Sequence, residues 1–127
     1  MTTDNKRVLV VDDDDAIRVM VESVLRRENF EVDTACDGFD AIQKLARNDY
    51  DAILLDLMMP RIDGLGVLRF LQEKRPELEP TVIVMTADVP RAAEVGEVIK
   101  FARFLAKPFD LSDLLAEVRR SAAGSML

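Results

Sequence analysis

The chain contains no histidine and no tryptophan, and only one cysteine and one tyrosine among its 127 residues. Without His there can be no Ser-His-Asp triad, no Cys-His pair and no His-ligated zinc. Any chemistry must therefore run on carboxylates, hydroxyls and Lys. The lone Cys36 rules out an internal disulfide and is expected to be a small buried hydrophobe. Apolar runs are short as well: none exceeds four residues, as in Val8 to Val11, whereas a membrane helix needs about 20. The polar opening Met1 to Lys6 carries no secretory h-region, so a cytoplasmic protein with no membrane segment is expected. Positive charge is in the minority, with 17 Lys and Arg against 24 Asp and Glu and a net charge of −7. An acidic surface repels phosphate backbones, which argues against direct nucleic-acid binding.

What is present points to one folded domain. With 49% hydrophobic residues and a mean hydropathy of +0.03, the chain has enough apolar surface to offset the entropy lost on ordering. No repeat, low-complexity tract or Gly/Ser linker divides it, so residues 1–127 read as a single domain with a core over about 6–120 and a fraying tail at 121–127. Runs rich in β-branched residues, Arg7 to Val11, Glu31 to Ala35, Asp51 to Leu55, Thr81 to Met85 and Phe101 to Ala106, read as strands. Most are apolar on both faces, as in a parallel sheet covered by helices.

Helical stripes alternate with these runs. Ile17, Met20, Val21, Val24 and Leu25 follow helical spacing behind a cap at Asp14 or Asp15, and Ala41, Ile42 and Leu45 form a second stripe. Leu65, Leu68 and Leu71 mark a third helix entered at Asp63-Gly64, and Pro90 suits the first turn of a fourth. Leu111, Leu114, Leu115 and Val118 stripe a fifth. The result is a flavodoxin-like α/β fold, a doubly wound five-stranded parallel sheet of order 2-1-3-4-5 flanked by five helices. Its site lies at the carboxyl ends of the strands where their order reverses.

The residues at those ends carry chemistry. Asp12 and Asp13 follow the first strand, Asp56 ends the third, Thr86 the fourth and Lys107 the fifth, whereas the second ends in Ala35-Cys36. Strands one and three are neighbours in this order, so three carboxylates converge. Two like charges about 4 Å apart repel by about 4 kcal/mol at an effective dielectric of 20, and a bound cation relieves this. Hard oxygens without His or Cys suit Mg²⁺, which keeps open positions for a phosphoryl oxygen. Lys107 and Thr86 can spread the charge of such a group, and Asp56 can attack phosphorus to give an acyl phosphate. Asp14 and Asp15 read as helix caps instead.

These motifs, Val-Leu-Val-Val-Asp12-Asp13, Leu-Leu-Asp56-Leu-Met-Met-Pro60 with Asp63-Gly64, Met-Thr86-Ala87 and Lys107-Pro108-Phe109, resemble those of response-regulator receiver domains of two-component signalling. The resemblance spans Lys6 to about Arg120. It implies a phosphorelay in which Asp56 is the phosphoacceptor for a phosphohistidine on a sensor histidine kinase or a histidine phosphotransfer protein. It also implies Mg²⁺ on Asp12, Asp13, Asp56 and the Met58 backbone carbonyl. Thr86 and Lys107 would bind the phosphoryl group, Thr86 and Phe104 would form the switch, and the Lys107-Pro108 bond would be cis. The face of the fourth helix, fifth strand and fifth helix would signal to a downstream effector, with Arg91, Glu94, Glu97, Lys100, Phe101 and Arg103 on it. Kinase docking would fall around Ala16, Arg18, Val19 and Pro108.

By the same resemblance the domain is no enzyme beyond catalysing its own phosphorylation and autodephosphorylation, and is a monomer or a phosphorylation-dependent dimer. Met58 and Asp88 stand where the family tunes access of water to the acyl phosphate. Receivers usually carry a Gly-Ala pair before the fifth strand. Here Gly96 comes earlier, which predicts a short, shifted or mobile fourth helix over Arg91 to Phe101. With about one helix past the last strand, the chain is expected to be a receiver alone, either a whole regulator or a piece of one. Three alternatives are a phosphorylation-independent interaction module, a Mg-dependent aspartyl phosphatase and a flavin binder. The phosphatase would need an acid/base Asp where Met58 stands, and four Asp residues after the first strand would repel a flavin phosphate.

Overall fold

The computed structural model of the chain describes residues 5–59, 62–87 and 103–123. Five parallel strands, β1 (Arg7–Val11), β2 (Glu31–Ala35), β3 (Ala52–Asp56), β4 (Val82–Thr86) and β5 (Arg103–Ala106), form one sheet in the order β2-β1-β3-β4-β5. Around it stand α1 (Asp15–Arg27), α2 (Gly38–Arg47), α3 (Gly64–Lys74), a short 3-10 helix over Pro76–Thr81, and a C-terminal helix, α4 (Leu111–Ala123). This is the doubly wound architecture expected from the alternation of strand and helix patterns. The expected helix over Arg91 to Phe101 lies outside the described residues, as do Pro60 and Asp88.

The period of two along each strand divides the interior into two layers. Leu9, Val11, Ile53, Leu55, Val82 and Val84 face α2 and α3, meeting Ala41, Leu45, Leu68 and Leu71. Their neighbours Val8, Val10, Leu54, Ile83 and Met85 face α1 and α4, meeting Val21, Leu25, Leu114 and Val118. Each fully buried Val, Leu or Ile contributes about 1.5–3 kcal/mol relative to exposure. The central strands β1, β3 and β4 are therefore fixed from both sides. The edge strand β2 instead carries Glu31 and Asp33 among its residues, as suits a strand with one free side.

Asp caps start three helices. The Asp14 carboxylate accepts from the N–H groups of Ala16 (2.9 Å) and Ile17 (3.1 Å), Asp37 from Asp40 (2.8 Å) and Asp63 from Gly66 (3.1 Å). Each satisfies a donor that the first helical turn leaves unpaired. The cap of α1 is thus Asp14, and Asp15 is the first helical residue.

Four expectations are corrected. Strands β3 and β4 begin one residue later than their apolar runs suggest. Asp51 turns its carboxylate to the Arg7 N–H (2.8 Å), and Thr81 closes the 3-10 helix, its hydroxyl donating to the Leu78 carbonyl (2.6 Å). Cys36 is exposed, not buried, because the loop after β2 turns outward and hangs its N–H on Asp40 (3.3 Å). Residues Ser121 to Ala123, expected to fray, continue α4, with Ser121 and Ala122 buried. The 3-10 helix over Pro76–Thr81 has no counterpart among the elements expected from the sequence.

Gly64 sits where α3 meets the end of β3. A Cβ there would lie 2.6 Å from the Leu57 Cα and 2.8 Å from the Asp56 carbonyl oxygen, whereas one at Gly66 would meet chiefly the Ile62 Cγ2 methyl. Backbone cannot move aside as a side chain can. Gly64→Ala is accordingly expected to lower stability by about 1–3 kcal/mol, and Gly66→Ala by clearly less, as measured by urea titration.

Candidate metal centre

The register of the ladder brings the acidic residues together. Val11 pairs with Leu55, so the next residues, Asp12 and Asp56, stand side by side at the carboxyl ends of β1 and β3. Both are buried, at 0% and 5% exposure, while Asp13 is exposed. One carboxylate oxygen from each of Asp12, Asp13 and Asp56 lies within 4.8 Å of the other two. The convergence expected from strand order is therefore met at atomic distances.

Lys107 closes the cluster from the other side of the sheet. Its N–H donates to the Thr86 carbonyl (3.1 Å) just past the β4–β5 ladder. Its ammonium reaches back to Asp12 Oδ2 (3.2 Å) and Asp56 Oδ2 (3.3 Å). The remaining oxygens are held by backbone, Asp12 Oδ1 by the Asp14 N–H (2.9 Å) and Asp56 Oδ1 by the Met58 N–H (3.0 Å). Arg18 Nη1 donates to the Asp12 carbonyl oxygen (2.8 Å). Thr86 ends β4 beside this crevice and is buried. Phe104, on β5, is 45% exposed and Met58 is 53% exposed. The Lys107-Pro108 bond is cis, as expected. Along one flank an apolar cleft of about 330 Å³ is lined by Ile17, Met20, Ala87, Lys107, Pro108 and Phe109.

Three carboxylates face one ammonium here, a larger excess than among the described acids at the opposite pole of the sheet. There Asp33 accepts from both Arg7 (2.8 Å) and Tyr50 (2.7 Å), and Asp49 and Glu77 share Arg75. Burial pushes the Asp56 carboxyl up, and Asp12 adds to the rise; the Met58 N–H and Lys107 pull it back, leaving it at about 6. For Lys107, burial alone would lower the pKa, but the Asp56 and Asp12 carboxylates outweigh it and hold the ammonium above its ordinary value. A donor set of three hard oxygens with excess negative charge fits a divalent cation of the Mg²⁺ type. Sequence reasoning found all three acids and Lys107. It missed that Arg18, one turn into α1, reaches back to the strand it follows.

The raised Asp56 carboxyl has a stability consequence. Relative to an unfolded value of about 3.9, the folded form binds its proton more tightly. The stability this contributes is full below about pH 4 and is lost as pH rises through about 6. In metal-free protein, Asp56→Asn is therefore expected to be more stable than the parent by about 3 kcal/mol above pH 7, with the difference vanishing near pH 4. Thermal melts in chelator across that range check it.

The model of the family described as "Response regulator receiver domain" matches residues 8–119. The chain is 39% identical over 113 residues, 89% of its length, to response regulator MprA of Mycobacterium sp. strain KMS. It is 34% identical over the same span to response regulator ArlR of Staphylococcus saprophyticus. It covers 49% and 50% of these relatives, so it spans about half their length. The Francisella response regulator 1452 receiver domain superposes with a TM-score of 0.82 at 28% identity, over 95% of this chain and 99% of that one. TrrA of Thermotoga maritima, solved in complex with Mg(2+)-BeF, superposes at 0.79 with 31% identity, over 91% and 98%. With the family match covering nearly the whole chain on top of this geometry, the protein belongs to the response regulator receiver domains.

Proposed function

We propose that the domain takes a phosphoryl group onto Asp56 from a phosphohistidine on a partner sensor kinase or histidine phosphotransfer protein, and passes the signal to a downstream effector. The observation that carries this reading is the Asp56 carboxylate, buried at a strand end between Lys107 and the Asp12–Asp13 pair. An Asp56 oxygen attacks phosphorus, the N–P bond of the donor breaks, and the imidazole leaves with a proton, giving an acyl phosphate. When bound by Asp12, Asp13, Asp56 and the Met58 carbonyl, Mg²⁺ supplies positive charge to phosphoryl oxygens.

Lys107 is held within reach of both Asp12 and Asp56, so a small shift lets its ammonium follow a phosphoryl oxygen as charge develops. The Thr86 hydroxyl supplies a neutral donor from β4. Its movement toward the phosphoryl group frees room for the exposed Phe104 ring to turn inward and alter the face of β5 and α4. The apolar cleft beside Lys107, with the exposed Val19 and Met20 on α1, suits the docking of the donor protein. The relative TrrA was solved in complex with Mg(2+)-BeF, in keeping with a divalent ion at a site of this kind. The domain turns over no substrate but its own acyl phosphate, and acts in the cytoplasm as a monomer or a phosphorylation-dependent dimer.

Incubation with Mg²⁺ and a small acyl-phosphate donor is expected to add one hydroxylamine-labile phosphoryl group by mass spectrometry, absent from Asp56→Ala. Lys107→Met should slow its appearance about 100-fold. An unmodified parent protein, as expected of a module that signals by contact alone, or an adduct that persists in Asp56→Ala, overturns the assignment.

A further inference from the structure

Of the three acids in the cluster, Asp13 is the least restrained. Asp12 and Asp56 have their carboxylate oxygens held by backbone N–H groups and Lys107. The Asp13 carboxylate makes no hydrogen bond or ion pair among the described residues. Its place in the cluster depends on the backbone that carries it, above all on the peptide plane joining Asp12 to Asp13. The carbonyl oxygen of that plane accepts the Arg18 guanidinium at 2.8 Å. The other end of the guanidinium pairs with Asp15, and the Arg18 side chain is only 17% exposed. A charged, little-exposed donor to a single carbonyl is among the stronger hydrogen bonds available to a loop. Rotation of this plane would swing the Asp13 carboxylate away from Asp56.

We propose that Arg18 is a positioning residue, which by fixing the Asp12–Asp13 peptide sets where the Asp13 carboxylate stands to receive the divalent ion. This rests on the Mg²⁺-dependent reading of the site. It assigns Arg18 a task separate from any contact with the phosphoryl donor. Charge alone predicts the reverse: deleting a cation next to an acidic cluster should tighten Mg²⁺ binding. The sign of the change therefore separates positioning from field.

Calorimetric titration of the full chain with Mg²⁺, beside thermal melts, tests it. Arg18→Ala is expected to weaken Mg²⁺ binding about tenfold, while phosphorylation by a small acyl-phosphate donor recovers at saturating Mg²⁺. Arg18→Lys, which keeps a charged donor, should regain most of the affinity, and Asp15→Asn should leave it close to the parent's. If Arg18→Ala does not fold, Arg18→Gln replaces it in the comparison with Arg18→Lys. Unchanged or tighter Mg²⁺ binding in the Ala or Gln variant, with or without a lower melting temperature, overturns the inference alone. A parent protein that takes up no Mg²⁺ overturns the metal reading of the site and the inference with it.

Discussion

Like-charge repulsion at the ends of β1 and β3 is the constraint around which this molecule is organised. Asp12 and Asp56 are adjacent because the ladder register makes them so, and both are buried, where a carboxylate loses most of its hydration. An isolated pair of this kind would shed its charge by taking up a proton. Lys107 prevents that only in part, which is why the Asp56 carboxyl remains raised to about 6. The apolar layers on both sides of the sheet provide the stability that lets such an arrangement persist.

The same tension gives the site its chemical character. A cluster already satisfied by its own cations would have little affinity for another, as at the opposite pole, where Arg7 and Arg75 answer the nearby acids. At the functional pole an excess of negative charge is retained. A divalent ion that preferred the folded site would stabilise the fold by mass action.

Much of this was legible in the residue order. Strand positions followed from four-residue apolar runs, and the alternation with helical stripes allowed few topologies. The strand order then brought Asp12, Asp13, Asp56 and Lys107 to one crevice without any reference to side-chain geometry. What escaped the sequence is local competition for hydrogen bonds. Asp51 and Thr81 look like strand residues until their side chains bond to Arg7 and Leu78. Cys36 looks like core until the loop after β2 turns outward. The reach of Arg18 back to Asp12 depends on the rotamer of a long side chain, which no spacing rule encodes.

The attachment of Lys107 carries a wider implication. Its backbone follows β5, an edge strand over Arg103–Ala106, yet its ammonium pairs with Asp56 at the end of β3 and with Asp12 just past β1, across β4 and, for Asp12, β3 as well. That side chain is a tether from the rim of the sheet to its middle. Any fluctuation that peels the rim away also strips the counter-ion from the acidic pair, so fraying at the edge is coupled to electrostatic disruption at the centre. The outermost strand and the innermost charges thus form one cooperative unit.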